Sequence, residues 1–490
     1  MSFNIGTPGF RMGPRGALEL AGSKEQEGAF FNVHVVRRLL DYLKPYRLRM
    51  ALAIAFMLVK TALTLLVPYL MKTAIDQNIT RGDLPGLIQT ALFLAGSYAG
   101  LFLATSVQGY QLAWVGQRVL TNLRRDLFNH LQALSMVYHD THIVGVTVSR
   151  VINDVAEINN LLSQGLITLL GDILVLAGTI ILMLTMNARL ALMTFIVIPL
   201  MALATWLFSR RARDAYRETR SRVAAVVGDL AEDLSGMRVI QAFAQEKSSQ
   251  RRFKQVNAAN RSAQINAVSL SYVFLPAVDL LGMLATVIVL WVGGLGVSRG
   301  EVTLGVLVAF LQYVTRFFQP IQELSQLFTT LQSAMAGGEQ VLRLLDTPSS
   351  VMDRPGAGEM PPIRGEISLE HVSFRYREDT PEVLHDVSLS LPAGQTLALV
   401  GPTGAGKTSL ANLIVRFYDV SSGAVKIDGI DVRDVTQRSL RAQTGLVPQD
   451  PFLFSGSIAD NIRFGRGDAS DEEMIAAARL ANAADFIDAL

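Results

Sequence analysis

The chain is 490 residues long, half of them hydrophobic, with 18% charged residues, a formal net charge of +2 and no cysteine. The lack of cysteine excludes disulfides, thiol catalysis and cysteine-based metal sites, and the near-neutral charge gives nucleic acid no electrostatic footing as a partner. Soluble domains average about 25% charged residues, so the apolar excess points to a membrane protein.

The first 45 residues hold no apolar core followed by a small-residue cleavage site, so no cleaved signal is expected. Gly6 to Gly16, with two prolines and two arginines, reads as a disordered tail. Six apolar segments then follow, each read as a helix able to span the roughly 30 Å of hydrocarbon. They run Ala51 to Met71, Leu84 to Thr105, Leu161 to Met186, Leu190 to Phe208, Val268 to Val297 and Leu304 to Phe318, the last interrupted by Gln312 and Arg316. Only Asn187-Ala188-Arg189 separates the third from the fourth. The stretches between Thr105 and Leu161 and between Phe208 and Val268 are too long for turns. They read as helix, because apolar residues recur at three and four steps, as in Val119-Leu120-Leu123-Leu127-Leu131. The spans are therefore expected to continue as helices outside the bilayer.

Basic residues set the orientation. Arg37, Arg38, Lys44, Arg47 and Arg49 precede the first span, and both long connections are rich in arginine. The opposite side holds only Lys72, Arg81, Arg189 and Arg299, so the positive-inside rule places the N-terminus, both long connections and everything after the sixth span in the cytosol. Four ionisable residues, Lys60, Asp172, Asp279 and Arg316, fall inside spans. Charges there are costly and usually face a bundle interior or a water-filled cavity, which makes Asp279 and Arg316 candidates for a substrate path. Pro68, Pro199, Pro276 and Pro320 are explained by helix kinks.

After a polar helix from Ser333 to Leu345, the Pro, Gly and Ser content from Asp346 to Pro362 marks a linker. Beyond it the period changes. Ile367 to Val372, Val387 to Leu391, Thr396 to Val400, Ala424 to Ile427 and Gly445 to Val447 read as strands, with a turn at Asp428-Gly429. Ser409 to Phe417, Gln437 to Ala442 and Asp471 to Leu490 read as helices, which makes this half α/β. Gly401-Pro402-Thr403-Gly404-Ala405-Gly406-Lys407-Thr408 fits the phosphate-binding pattern G-x-x-x-x-G-K-[ST], and Ser409 follows directly. Glycines let successive backbone N–H groups turn toward phosphate oxygens, and the following helix N-terminus adds donors and a favourable dipole. Lys407 is expected to reach the β- and γ-phosphates of ATP, and Thr408 to hold Mg²⁺.

With these pieces in order, the chain from about Val33 onward resembles an ATP-binding cassette exporter half-transporter of the multidrug and lipid-exporting kind. The resemblance implies four segments: residues 1–45 as a cytosolic tail and amphipathic elbow helix, 46–335 as the transmembrane domain, 336–364 as a linker and 365–490 as the first portion of a nucleotide-binding domain. It implies that Tyr376, in Val372-Ser373-Phe374-Arg375-Tyr376, stacks on adenine. It implies that Gln449, in Val447-Pro448-Gln449-Asp450-Pro451-Phe452, contacts Mg²⁺ and the attacking water. Ser457 to Ile462 also matches the family. Gly145 to Val155 and Glu232 to Glu246 resemble its two intracellular segments, whose tips dock on cassettes.

No Leu-Ser-Gly-Gly-Gln signature, no strand ending in Asp-Glu and no switch histidine follows the phosphate loop. Asp450, Asp460 and Asp471 do not stand where the family's catalytic acid would be, so no general base is assigned: the resemblance implies an ATP-hydrolysing transporter when full length, and this 490-residue form is expected to be inactive. The fold expected is thus a helical membrane domain of six long helices followed by an incomplete α/β nucleotide-binding domain. The function expected is ATP-driven export of a hydrophobic or amphipathic drug or lipid by a dimer with an identical or different half-transporter, in the cell membrane. The alternative is a nucleotide-binding regulatory or channel-like subunit without turnover.

Overall fold

A computed structural model describes residues 33–489, so the tail expected at Gly6 to Gly16 lies outside the described residues. The chain folds as two compact units, the first ending at Ser349 and the second beginning at Ser350.

The first unit is helical throughout. Helix α1, Val33–Asp41, is amphipathic and buries Val35 and Leu39 in a cluster with Val115, Val119, Ile158 and Val341. A 3-10 turn at Lys44–Tyr46, started by Pro45, leads into α2, Arg47–Thr73, which continues in π geometry to Ile79. Helix α3, Leu84–Ala133, begins where the Asp83 side chain accepts the Gly86 N–H at 3.1 Å and Pro85 fits the first turn. At 1.5 Å per residue its 50 residues extend about 75 Å, more than twice the hydrocarbon thickness. A short α4, Met136–Thr141, precedes α5, Val144–Met186, which passes through π segments at Arg150–Asp154 and Leu161–Gly165.

Asn187 makes the tight turn expected between the third and fourth spans, its side chain accepting the Leu190 N–H at 2.9 Å. It opens α6, Ala188–Ser235; α7, Met237–Ala242, and α8, Glu246–Ser298, follow. The outward parts of α6 and α8 run antiparallel: Thr219 faces Ala263, and Arg252 ion-pairs with Asp229 at 2.9 Å and with Asp233. Helix α9, Leu304–Leu345, is capped by Thr303. Both long connections are therefore helical, as expected. Val119, Leu123 and Leu127 of the first are buried in a core that runs beyond the apolar spans.

Among the described residues, five helices are long and apolar enough to cross a membrane: those within Lys44–Ile79, Leu84–Ala133, Val144–Met186, Ala188–Ser235 and Glu246–Ser298. The sixth expected segment is the first part of α9, a continuous 42-residue helix outside that set of five, with Gln312 and Arg316 interrupting its apolar run. Its buried face, with Ala309, Phe310 and Tyr313, packs with Ala285 and Val289 of α8 and Leu190 of α6. Tyr313 donates its hydroxyl proton to the Leu65 carbonyl at 2.7 Å.

The second unit contains a four-stranded antiparallel sheet in the order β2-β1-β3-β4, with β1 Ile367–Phe374, β2 Leu384–Leu391, β3 Ser422–Ile427 and β4 Ile430–Asp431. Asp428 and Gly429 make the two-residue turn between β3 and β4, both at positive φ (+51° and +81°), as such a hairpin requires. The helices are α10 Lys407–Ile414, α11 Gln437–Arg441, α12 Ile458–Ile462, α13 Asp471–Leu480 and α14 Ala484–Asp488. The helix read from Asp471 to Leu490 is thus broken, with Asn482 at φ +56°.

Two expected strands are corrected. Thr396 to Val400 and Gly445 to Val447 lie outside the sheet, with Val400 and Val447 93% and 95% exposed. Their apolar, β-branched composition suits a strand, but a strand exists only through a hydrogen-bonded neighbour, and no described segment pairs with them.

Candidate nucleotide site

The phosphate loop joins the apolar segment 396–400 to α10. Gly404 and Gly406 take φ of +91° and +84°, values open to glycine at little cost. At Gly406 a Cβ would also lie 2.6 Å from Leu384 Cδ2 of β2, so that methyl would have to move, and the backbone conformation disfavours any side chain there. The Ala405 N–H donates to the Pro402 carbonyl at 3.2 Å, closing a turn inside the loop. Lys407 curls over this turn, its ammonium donating to the Gly401 and Pro402 carbonyls at 2.8 Å each. Gly401, Pro402, Thr403, Gly404 and Ala405 are exposed, as is Thr408 in the first turn of α10, while Ser409, Leu410 and Leu413 are buried and anchor the helix. The result is a solvent-facing ring of backbone at a helix N-terminus with one cation folded into it. That arrangement suits a polyphosphate.

Tyr376 reaches the same place from beyond β1. Its hydroxyl lies 2.7 Å from Ser409 Oγ, and its ring meets Phe374 and Tyr418 edge-on at 4.8 and 5.1 Å, leaving the residue 37% exposed. The structure thus brings Tyr376 against the residue that follows Thr408. Gln449 is exposed in the segment outside the sheet, and no hydrogen bond joins it to the loop among the described residues.

The three aspartates set aside earlier include two with capping or pairing roles. Asp460 completes a capping box with Ser457, and Asp471 pairs with Arg463. Two residues that the sequence does not single out shape the site's support. Arg416, fully buried and at φ +54°, donates to Asp419 at 3.1 Å and to the Val435 and Met352 carbonyls at 3.0 Å, tying the chain after α10 to the segment before β1. Asp428 accepts the N–H groups of Arg364, Gly365 and Glu366 at 2.6, 3.1 and 2.9 Å, which holds its carboxyl below the usual range. Apart from Asp419, three residues after Arg416, these partners are distant in sequence, so no local pattern announces them.

In the membrane unit, Asp172 is half-buried and lies within electrostatic reach of Lys60 and of Glu323. Glu323 was not singled out in the sequence; it stands seven residues after Arg316 on α9, a spacing that returns to the same helix face. Arg316 is half-buried and Asp279 exposed.

A helical membrane unit followed on the same chain by a phosphate-loop domain defines a nucleotide-driven membrane transporter. Family models identify both parts, the ABC transporter transmembrane region over residues 50–321 and the ABC transporter domain over residues 384–489. The chain belongs to the ABC transporter family, as a half-transporter of the exporter type. It is 38% identical over 93% of its length to an uncharacterized ABC transporter ATP-binding protein, YknV, of Bacillus subtilis, spanning 76% of that protein. It is 32% identical over 92% of its length to an ATP-dependent lipid A-core flippase of Syntrophus aciditrophicus, spanning 75% of it. The structure of a bacterial Atm1-family ABC exporter with ATP bound matches 91% of this chain and 78% of that one, with a TM-score of 0.73 and 28% identity.

Proposed function

We propose that this chain is one half of a dimeric exporter that moves a hydrophobic or amphipathic molecule, a lipid or a drug, across the cell membrane at the expense of ATP. Its family is ATP-driven and membrane-integral. The substrate class rests on relatives such as the lipid A-core flippase. The observation that carries the reading is the phosphate loop, with two glycines at positive φ and the Lys407 ammonium folded against the loop carbonyls.

In this reading Lys407 exchanges its two carbonyl partners for the β- and γ-phosphate oxygens, and the N–H groups of the loop and of the first turn of α10 enclose them. The Thr408 hydroxyl would hold Mg²⁺, with Gln449 as a further ligand when its segment is brought close. Tyr376 offers a ring to adenine while its hydroxyl stays fixed to Ser409. Bound ATP supplies the phosphoryl group whose transfer drives transport; the protein's part is to position it and balance its charge. The basic N-terminal and inter-span segments support a cytosolic nucleotide unit.

Binding of labelled ATP to the purified protein tests the site. Lys407→Ala should abolish most of the affinity. Tyr376→Ala should cost less, about 1–3 kcal/mol for one lost base–ring stack. Wild-type affinity in the Lys407→Ala protein would refute the site.

A further inference from the structure

Where α2 meets α3, the structure gathers an aromatic and basic cluster in the membrane unit, apart from the phosphate loop. Arg49 is stacked on Trp114, its guanidinium carbon 3.8 Å from the ring centroid, and Arg118 stands 5.2 Å from the same centroid. Tyr46 meets Trp114 edge-on at 5.7 Å and accepts a hydrogen bond from the Asn122 amide at 2.8 Å. Arg49 also donates to the Gln111 side chain at 3.0 Å. Beside this cluster a shallow, open groove of about 380 Å³ runs along one face of α3 alone, lined by Tyr110, Trp114, Gln117, Arg118 and their neighbours, with Arg49 at its edge through Trp114 and no acidic residue among the lining. Neither Arg49 nor Arg118 forms an ion pair among the described residues, whereas nearby Lys44 and Arg125 are paired with Asp41 and Asp126.

The pairing of the two helices fixes the depth of this groove. Gly100 packs against Leu63 within the spans and Gln111 meets Arg49, so Trp114 lies just past the point where the apolar run of α2 begins at Ala51. That is the level of lipid headgroups, where Trp and Tyr collect and arginine carries its charge into the polar layer. Two unpaired guanidiniums, a tyrosine hydroxyl and an apolar ring match a phosphodiester with acyl chains beneath it, and guanidinium is suited to phosphate oxygens.

We propose that Arg49 and Arg118, held beside Trp114, form a binding site for the headgroup of an anionic phospholipid of the cytosolic leaflet. The two cations select charge, and Trp114 holds Arg49 in a fixed plane so that little order is lost on binding. The site is separate from the phosphate loop, and it requires only that the membrane unit is inserted.

The test uses the whole chain carrying Trp206→Phe and Trp291→Phe, so that Trp114 is the sole tryptophan. The protein is reconstituted in phosphatidylcholine vesicles containing an equal fraction of brominated phosphatidylglycerol or brominated phosphatidylcholine. Phosphatidylglycerol should associate with Trp114 roughly tenfold more strongly than phosphatidylcholine, two arginines each adding attraction, and the preference should shrink as salt is raised. Arg49→Gln with Arg118→Gln should reduce the phosphatidylglycerol signal to the phosphatidylcholine level while leaving quenching by phosphatidylcholine unchanged, which shows that the variant is inserted. Equal quenching by both lipids in the parent, or a preference that survives the double substitution, overturns the proposal. So does quenching by neither, which assigns the face to a protein neighbour such as a second copy, or loss of the preference when inorganic phosphate replaces chloride at constant ionic strength, which assigns it to a soluble anion.

Discussion

At Asp428 one carboxylate organises the entry to the sheet, receiving three consecutive backbone N–H groups from the end of the linker. Those hydrogen bonds stabilise the ionised form, so the folded pKa is depressed. The sign follows: the stabilisation is fully present above the unfolded pKa of about 3.9 and is lost as pH falls through the folded value. Asp428→Asn should therefore lower the melting temperature of the protein at neutral pH, and should flatten the fall in stability as pH drops below about 4. Thermal unfolding of both proteins across that range checks it; parallel curves would show that Asp428 contributes nothing on acidification. At Gly406, φ of +84° strains any side chain, and alanine would also displace the Leu384 methyl. Gly406→Ala should cost at least about 1 kcal/mol in stability from the left-handed backbone alone and should weaken ATP binding through the displaced loop. The phosphate loop could be read from eight consecutive residues because its chemistry is local. Arg416 could not, since what makes it a buried arginine is the approach of Met352 and Val435 from distant parts of the chain.

Among the elements, α3 shows how an apolar span continues beyond the hydrocarbon length as a polar-faced strut without interruption. Its buried positions Val115, Val119, Leu123 and Leu127 continue the three-and-four spacing visible in the sequence, and they pack on α1, α5 and α9. Leu123, 1% exposed, sits in that core, and Leu123→Ala should destabilise the first unit by about 2–5 kcal/mol, read as a lower unfolding midpoint in detergent. An unchanged midpoint would mean that the bundle outside the membrane is not a packed core. Helical periodicity made these elements legible because a helix satisfies its own backbone. The segments 396–400 and 445–447 were misread for the opposite reason. Their composition states a preference for extended chain, but a strand's neighbours are not written in its own residues.

For the molecule as a whole, the charges within the membrane unit are the features with the least structural explanation. Asp279 is exposed, Arg316 half-buried, and Asp172 shares a charged neighbourhood with Lys60 and Glu323 on two other helices. If Asp279 and Arg316 face the substrate path, Asp279→Asn and Arg316→Gln should each change the affinity for a fluorescent amphipathic ligand about tenfold, the worth of one charge-assisted contact, while ATP affinity stays within error. Equilibrium binding of both ligands to each variant decides the matter, and unchanged ligand affinity in both would assign the two groups to structure.

Helix α8 runs unbroken from Glu246 to Ser298 with Pro276 inside it. The part from Pro276 out to Glu246 is about 45 Å long at 1.5 Å per residue, and over much of that length it is braced by α6 through Thr219, Asp229 and Asp233. Proline removes a backbone hydrogen bond and so marks the point of least bending stiffness along such a rod. A tilt of about 10° there carries the far end through roughly 8 Å. The braced pair thus has the mechanics of a lever, in which a displacement of about an ångström among side chains close to the fulcrum becomes a stroke several times larger at the tip.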